Sequence, residues 1–299
     1  MDKIIRCITS NGAVMVSAID STDIVYTAKE LHKTSASATA AFGRLLTGAS
    51  LMGAQLKQKN ASLALRVQGG GEIGVVFASA DSNGNVRGYV GKPDCKTEHY
   101  ENGKINVAAC VGSEGSLTVT RDYGTGEPYT GQVELKSGEI AEDIASYFAV
   151  SEQIPTVCVL GVLLEKETGE VLVAGGLLAQ LLPGAFEEDI DLLEKNAFAL
   201  EPVTTMLAKG MTPLDMCHKL LEGFEVEVLD EMPVKYSCPC SKEGLENVKL
   251  CFQNLYPQLS DHPTLDYVTL SIPVIHMLPF SAVTPGQNPH PANISTIRI

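Results

Sequence analysis

Residues 61–91 of this 299-residue chain read ASLALRVQGGGEIGVVFASADSNGNVRGYVG. Three short runs rich in apolar and β-branched residues are separated by glycine-rich turns, and DSNGN at 81–85 is a strong hairpin signal. Such punctuation leaves no room for a helix and commits this part of the chain to sheet. GSLTVTRDYGTGEPYTGQVEL at 115–135 repeats the pattern, with a Gly/Pro-rich connection between two alternating runs. Helices interrupt the strands. TAKELHKTSASATAAFGRLLTGASLMGAQL is rich in Ala and Leu and predicts two helical pieces. In GEIAEDIASYFAVSEQIP, Ile140, Ile144, Tyr147 and Phe148 share one helical face, and Pro155 ends the helix. Residues 1–182 therefore predict one α+β core with mixed sheet and helix.

The next segment changes character. Glu187 to Glu231 holds twelve Asp and Glu against three Lys, and its apolar spacing reads as helical throughout. MTPLDMCHKLLEGF supplies its own boundaries: Thr212 as N-cap, Pro213 at the first helical position, Asp215 completing a capping box, and Gly223 at the end. Residues 183–232 are thus expected to form a helical linker that buries one thin apolar stripe. Unless something clamps it, it should be the least stable part of the chain. Beyond Cys251 the composition shifts again. Residues 252–299 carry only Asp261, Asp266 and Arg298 as charged groups and seven of the fifteen prolines, which predicts an irregular tail.

Composition excludes several functions. With 22 Lys and Arg against 36 Asp and Glu the formal net charge is −14, and no basic cluster stands out, which argues against nucleic acid. No apolar run approaches the ~20 residues that span a bilayer, and the first twenty residues alternate like a strand without a long apolar h-region. These features predict a cytoplasmic protein off the membrane, whose eight cysteines are mostly reduced. Cys7, Cys95, Cys110, Cys158 and Cys217 are scattered singly and read as small buried hydrophobes.

Most motifs carry no chemistry. GGGEIG at 69–74 matches G-x-G-x-x-G, but the strand-like VVFASA follows where a phosphate-binding helix would have to start, so it reads as a tight turn. Glu139, Glu142 and Asp143 fit the acidic first turn of a helix, His99 reads as an exposed loop residue, and Ser151 and Glu152 lack a histidine partner. Cys238 and Cys240, in YSCPCSKE, are different. Paired thiolates are soft ligands for Zn²⁺, which takes four Cys or His in a closed tetrahedron. A disulfide between them would close a very small ring, so they would stay reduced when metal is bound, and oxidation would expel the metal and its contribution to folding. The pair alone leaves a metal site, a redox pair and coincidence all open.

GGGEIGVVFASADSNGNVRGYVGKP, VTRDYGTGEPYTGQVEL, SGEIAEDIASYFAVSEQIPT, AGGLLAQLLPGA and YSCPCSKE occur in this order, and with them the chain resembles the 33-kilodalton heat-shock family of redox-regulated chaperones, the 33 kDa chaperonin family, from Met1 to about Val248. The resemblance implies a non-enzymatic, ATP-independent holdase of the bacterial cytosol, built from an α+β core, a helical linker and a small C-terminal zinc domain. It further implies that reduced cysteines bind Zn²⁺ as Cys-x-Cys and a later Cys-x-x-Cys. Oxidation then makes one disulfide within each pair, releases zinc, unfolds the linker and yields a homodimer that holds unfolded client proteins. By this matching Cys238 and Cys240 are the first pair, both as metal ligands and as redox cysteines. The second pair is absent, since only Cys251 follows. Residues 233–251 then read as the remnant of the zinc domain.

The preferred explanation is a frameshift that replaced the tail, in which case reading the DNA one base over past codon 248 should restore a Cys-x-x-Cys. The other is a divergent site with Cys251, His262 or His276 as substitute ligands. Either way the zinc-thiolate switch is expected to be impaired, leaving partial constitutive holdase activity or a tendency to aggregate. Two alternatives remain: a thiol-disulfide oxidoreductase using Cys238 and Cys240, and a plain zinc-binding interaction module.

Overall fold

Two five-stranded antiparallel sheets enclose a central helix in a computed structural model that describes residues 1–237. The strands are β1 (Lys3–Thr9), β2 (Val14–Asp20), β3 (Ser62–Gln68), β4 (Val76–Asp81), β5 (Val86–Val90), β6 (Ser116–Asp122), β7 (Tyr129–Glu134), β8 (Thr156–Leu164), β9 (Val171–Leu181) and β10 (Val226–Pro233). The helices are α1 (Thr22–His32), α2 (Ala36–Gly53), α3 (Val107–Val111), α4 (Ala141–Tyr147), α5 (Glu187–Ala199), α6 (Val203–Ala208) and α7 (Pro213–Leu220). One sheet runs β10-β1-β2-β9-β8 and the other β5-β4-β3-β6-β7. The fold is α+β, as expected.

The hairpin signal works as read. Asp81 Oδ1 accepts from the amides of Asn83 and Asn85 at 2.8 and 3.0 Å, and Gly84 takes φ +76° to close the β4–β5 turn. The two predicted helical pieces are α1 and α2. Sixteen of the eighteen residues of α2 are buried, because it packs on strands of both sheets and so has no solvent face. Ile140, Ile144, Tyr147 and Phe148 are all buried against this core, and α4 continues into a π-helical turn, Phe148–Glu152.

Alternation gives the first sheet two buried faces. Ile4, Ile19 and Leu178 point towards α2 and the second sheet. Ile5, Cys7, Val14, Val16, Ala18, Leu177 and Ala179 point the other way, where α5–α7 cover them.

One part of the acidic segment is not helical. Residues 226–233, expected as the end of the linker, form β10, which pairs antiparallel with β1 at the sheet edge. Its acids face basic partners across the ladder: Lys3 Nζ lies 2.7 Å from Glu231, and Arg6 grips both oxygens of Asp230, with Nε 2.8 Å from Oδ1. The pair holds the Asp230 carboxyl below its usual range. Arg6 directly faces Asp230 and Lys3 reaches Glu231 diagonally, and such opposite charges favour the strand that acidity alone disfavours.

The first helix is capped from a distance. Ser21, its N-cap, makes no side-chain cap bond. Instead Asp2 Oδ1 and Oδ2 accept from the amides of Asp23 and Ile24 at 3.0 and 2.7 Å. Burial pushes the Asp2 carboxyl up from 3.8 to about 6 despite these bonds. The folded state therefore holds a proton that the unfolded chain has released between those values, so the contribution of Asp2 is full below 3.8 and fades as pH rises through about 6. Thermal melts from pH 4 to 7 should show this decline in the wild type and a flatter profile in Asp2→Asn.

Candidate functional site

The acidic helices α5–α7 cover an apolar face of the first sheet. Each helix begins on its own sequence signals. In α7, Thr212 Oγ1 accepts from the amide of Asp215 at 3.2 Å, and Asp215 Oδ2 accepts from the amide of Thr212 at 2.8 Å, with Pro213 at the first position. In α5, Asp189 Oδ2 accepts from the amide of Phe186 at 3.0 Å. Acids in these first turns also suit the helix dipole.

The buried stripe is thin. α7 contributes Pro213, Met216, Cys217 and Leu220, α6 contributes Val203, Met206 and Leu207, and α5 contributes Leu193 alone. These side chains cover the apolar face made by β1, β2 and β9. Asn196 Nδ2 ties α5 to the end of α7, donating to the carbonyls of Leu220 and Glu222 at 3.0 and 2.7 Å, while Asn11 Nδ2 donates to Asp189 at 2.9 Å from the turn between β1 and β2. Apolar side chains are already exposed at the two ends of α5, with Phe186 at 74% and Phe198 at 92%. Beneath these helices lies a contiguous apolar face of the first sheet.

A strap leads from this site to the cysteine pair. The amide of Val234 donates to the carbonyl of Asp2, the amide of Val86 to Lys235, and the amide of Ser237 to Val86, at 3.0, 3.0 and 2.8 Å. The Tyr236 hydroxyl lies 3.0 Å from His32 Nε2 and donates to the carbonyl of Gly88 at 3.1 Å. The chain is thereby fastened to both sheets up to Ser237. The sequence-predicted site residues Cys238, Cys240, Cys251, His262 and His276 all lie outside the described residues, as do residues 252–299.

Among the described residues no group of three or more His, Cys, Asp or Glu could hold a metal. The two closely spaced thiol pairs implied by the resemblance are also incomplete, because Cys251 alone follows Cys238 and Cys240. The donor set of this chain does not fit a closed four-thiolate zinc site.

The remaining sequence candidates are structural. GGGEIG is a turn, as expected: the amides of Gly71 and Ile73 donate to the carbonyls of Val111 and Cys110 at 2.9 and 3.1 Å, and β4 follows rather than a helix. Glu139 pairs with Arg44 and accepts from the Tyr100 hydroxyl at 2.6 Å. Glu152 is bound by Arg121 and by the Tyr147 hydroxyl, and His99 is exposed. Asp143 does more than face a helix dipole, since it is fully buried and accepts four backbone amides.

The scattered cysteines require a correction. Cys95 and Cys110 are not independent buried thiols but are joined by a disulfide that ties the loop after β5 to α3. Their separation of fifteen residues gave no local signal, and the compartment argument predicted the reduced state. Cys7 and Cys217 are buried, as read, both in the apolar layer between the first sheet and α5–α7. Burial pushes the Cys158 thiol up to about 12.

The chain matches the family described as Hsp33 protein over residues 2–252, ending close to the point where its composition shifts. It is 46% identical over 245 residues to the 33 kDa chaperonin of Clostridioides difficile, covering 82% of this chain and 84% of the relative. It is 42% identical over 247 residues to the 33 kDa chaperonin of Desulforamulus reducens, covering 83% of each. Its fold superposes on the crystal structure of the 33 kDa chaperonin of Thermotoga maritima with a TM-score of 0.76 at 33% identity, over 86% of this chain and 88% of the other.

Proposed function

The chain belongs to the Hsp33 family, and on that premise we propose that it is a chaperone of the ATP-independent holdase type, whose client surface is the sheet face covered by α5–α7. The observation that carries this reading is the pairing of a fully apolar face, from Ile5 to Ala179, with a cover that buries only a thin stripe of its own. Clients are unfolding proteins held stoichiometrically by apolar burial; the reading assigns no catalytic residue, and no helix among the described residues is long and apolar enough to cross a membrane.

Regulation is proposed to be weakened rather than absent. Metal affinity in such a site is folding energy, and two thiols plus a distant third cannot supply a four-thiolate clamp. The cover is then held by its own packing, and a fraction of reduced molecules presents the client face. Zinc per chain in the purified, reduced protein is expected to be near zero. A value near one, lost on peroxide treatment, would mean that Cys238 and Cys240 have recruited other ligands and that the gate is intact. Turnover of a small disulfide substrate separates the holdase from an oxidoreductase using Cys238 and Cys240, because a holdase binds clients and turns nothing over.

A further inference from the structure

Four strands edge the two sheets, and three of them are protected against pairing with another chain. β10 carries Glu227, Asp230, Glu231 and Pro233 and a register shift. β5 is covered by the strap, whose Lys235 carbonyl accepts from the Val86 amide and whose Ser237 amide donates to the Val86 carbonyl. β7 is only six residues long and ends on Glu134. β8 has none of these devices over most of its length. Its nine residues, TVCVLGVLL, hold no charge and no proline, and its register shifts only between Leu163 and Leu164.

The faces of β8 are packed while its outer edge is open. Thr204 of α6 fits closely over Gly161 on one face, and Val162 lies against Gly43 of α2 on the other. The Leu181 amide donates to the Pro155 carbonyl at 3.1 Å, and in an antiparallel ladder that pair fixes the alternation: Val157, Val159 and Gly161 bond to β9. Leu160 and Val162 therefore turn their amides and carbonyls outward, and no hydrogen bond among the described residues reaches them. Residues 159–164 line a cleft of about 730 Å³. One wall is Thr97, Asn102 and Lys104, in the loop before α3, and the other is Pro202 and Thr204, at the start of α6.

We propose that the open edge of β8 is a strand-addition site, which takes an extended, uncharged, apolar segment of an unfolding client and lengthens the first sheet by one strand. The proposal rests on the chaperone reading above but uses a different surface from the face under α5–α7. Main-chain hydrogen bonds supply the affinity, and they are common to every sequence, as a chaperone of varied clients requires. The side chains of β8 that border the cleft are apolar or glycine, so a charged segment entering it loses water without gaining a partner. Two walls admit a single extended chain, whereas a second folded copy would bring its own walls against these.

The test uses the full, reduced chain and a short fluorescent peptide of alternating Val and Thr. Anisotropy is expected to show saturable binding, and hydrogen exchange across residues 156–164 to slow by about tenfold or more. A twin peptide N-methylated at successive residues, so that neither of its edges can donate, should bind about tenfold or more weakly, since losing one or two net hydrogen bonds is enough for that. Leu163→Lys, at a partly exposed position, puts on β8 the charge that protected edges carry and should weaken binding similarly. The peptide comparison needs only the wild type, so it stands even where the variant folds poorly. Equal binding of the two peptides, or binding that leaves β8 exchange unchanged, would overturn the proposal. So would β8 protection that grows with protein concentration in the absence of peptide, because a second copy would then be the occupant. Client aggregation followed in parallel separates the two claims. Suppression without any peptide effect at β8 removes the strand-addition site alone, whereas peptide binding at β8 without suppression keeps the site and removes the holdase reading.

Discussion

Replacing Asp143 with alanine is expected to cost roughly 3–5 kcal/mol, a large share of the stability of an ordinary domain. The side chain is fully buried. Its Oδ1 accepts from the amides of Lys136, Ser137 and Gly138 at 2.7, 3.0 and 3.3 Å, and its Oδ2 from Ile140 at 2.8 Å. Those bonds hold the turn that enters α4 and keep Ile140, a β-branched residue, at φ +73° with its side chain in the core. Alanine would strand four donors and release a strained backbone at once. Urea unfolding should show the loss as a lower midpoint at similar slope. Asp143→Asn, which keeps one acceptor, should fall between. A loss below about 1 kcal/mol would mean that water replaces the carboxylate, and that the turn does not depend on it.

Met216→Asp is expected to detach the acidic helices while sparing the rest of the fold. Met216 is fully buried among apolar neighbours, at the centre of the stripe that seats α7 on the sheet. A carboxylate there costs several kcal/mol, and α5–α7 have little packing with which to offset that cost. Undocking of the segment is therefore expected before global unfolding. The central helix α2 and the sheet faces packed on it form a separate core cluster and should keep their thermal transition. Tryptic cleavage after Lys195, Lys209 and Lys219 should rise about tenfold or more, with a matching gain in suppression of client aggregation. Met216→Leu, similar in volume, should behave like the wild type. Detachment without any gain in client holding would place the client surface elsewhere.

What the sequence disclosed depended on how local each signal was. The β4–β5 hairpin was legible because DSNGN carries its own turn chemistry, and α7 because Thr212, Pro213 and Asp215 specify a helix start within four residues. β10 was not. VEVLDEMP sits in an acidic stretch, and its strand character comes from Lys3 and Arg6 on β1, far away in the chain. The thin apolar stripe of the linker was legible from helical spacing, whereas the sheet face it covers required knowing which alternate residues of β1, β2 and β9 look the same way. The Cys95–Cys110 bond was invisible for the same reason: it has no local pattern, and only the fold brings the two cysteines together. The Cys238–Cys240 pair is the reverse case, conspicuous in sequence but outside the described residues.

The most direct test of the account is light scattering from a chemically denatured client diluted into fully reduced full-length protein without ATP. The account predicts that reduced protein already suppresses aggregation in part, in proportion to the chaperone added, and that Met216→Asp does so more completely. Suppression that appears only after oxidation, with the reduced protein inert, would contradict it and show that the cover over the β1–β2–β9 face is fully gated by thiol chemistry.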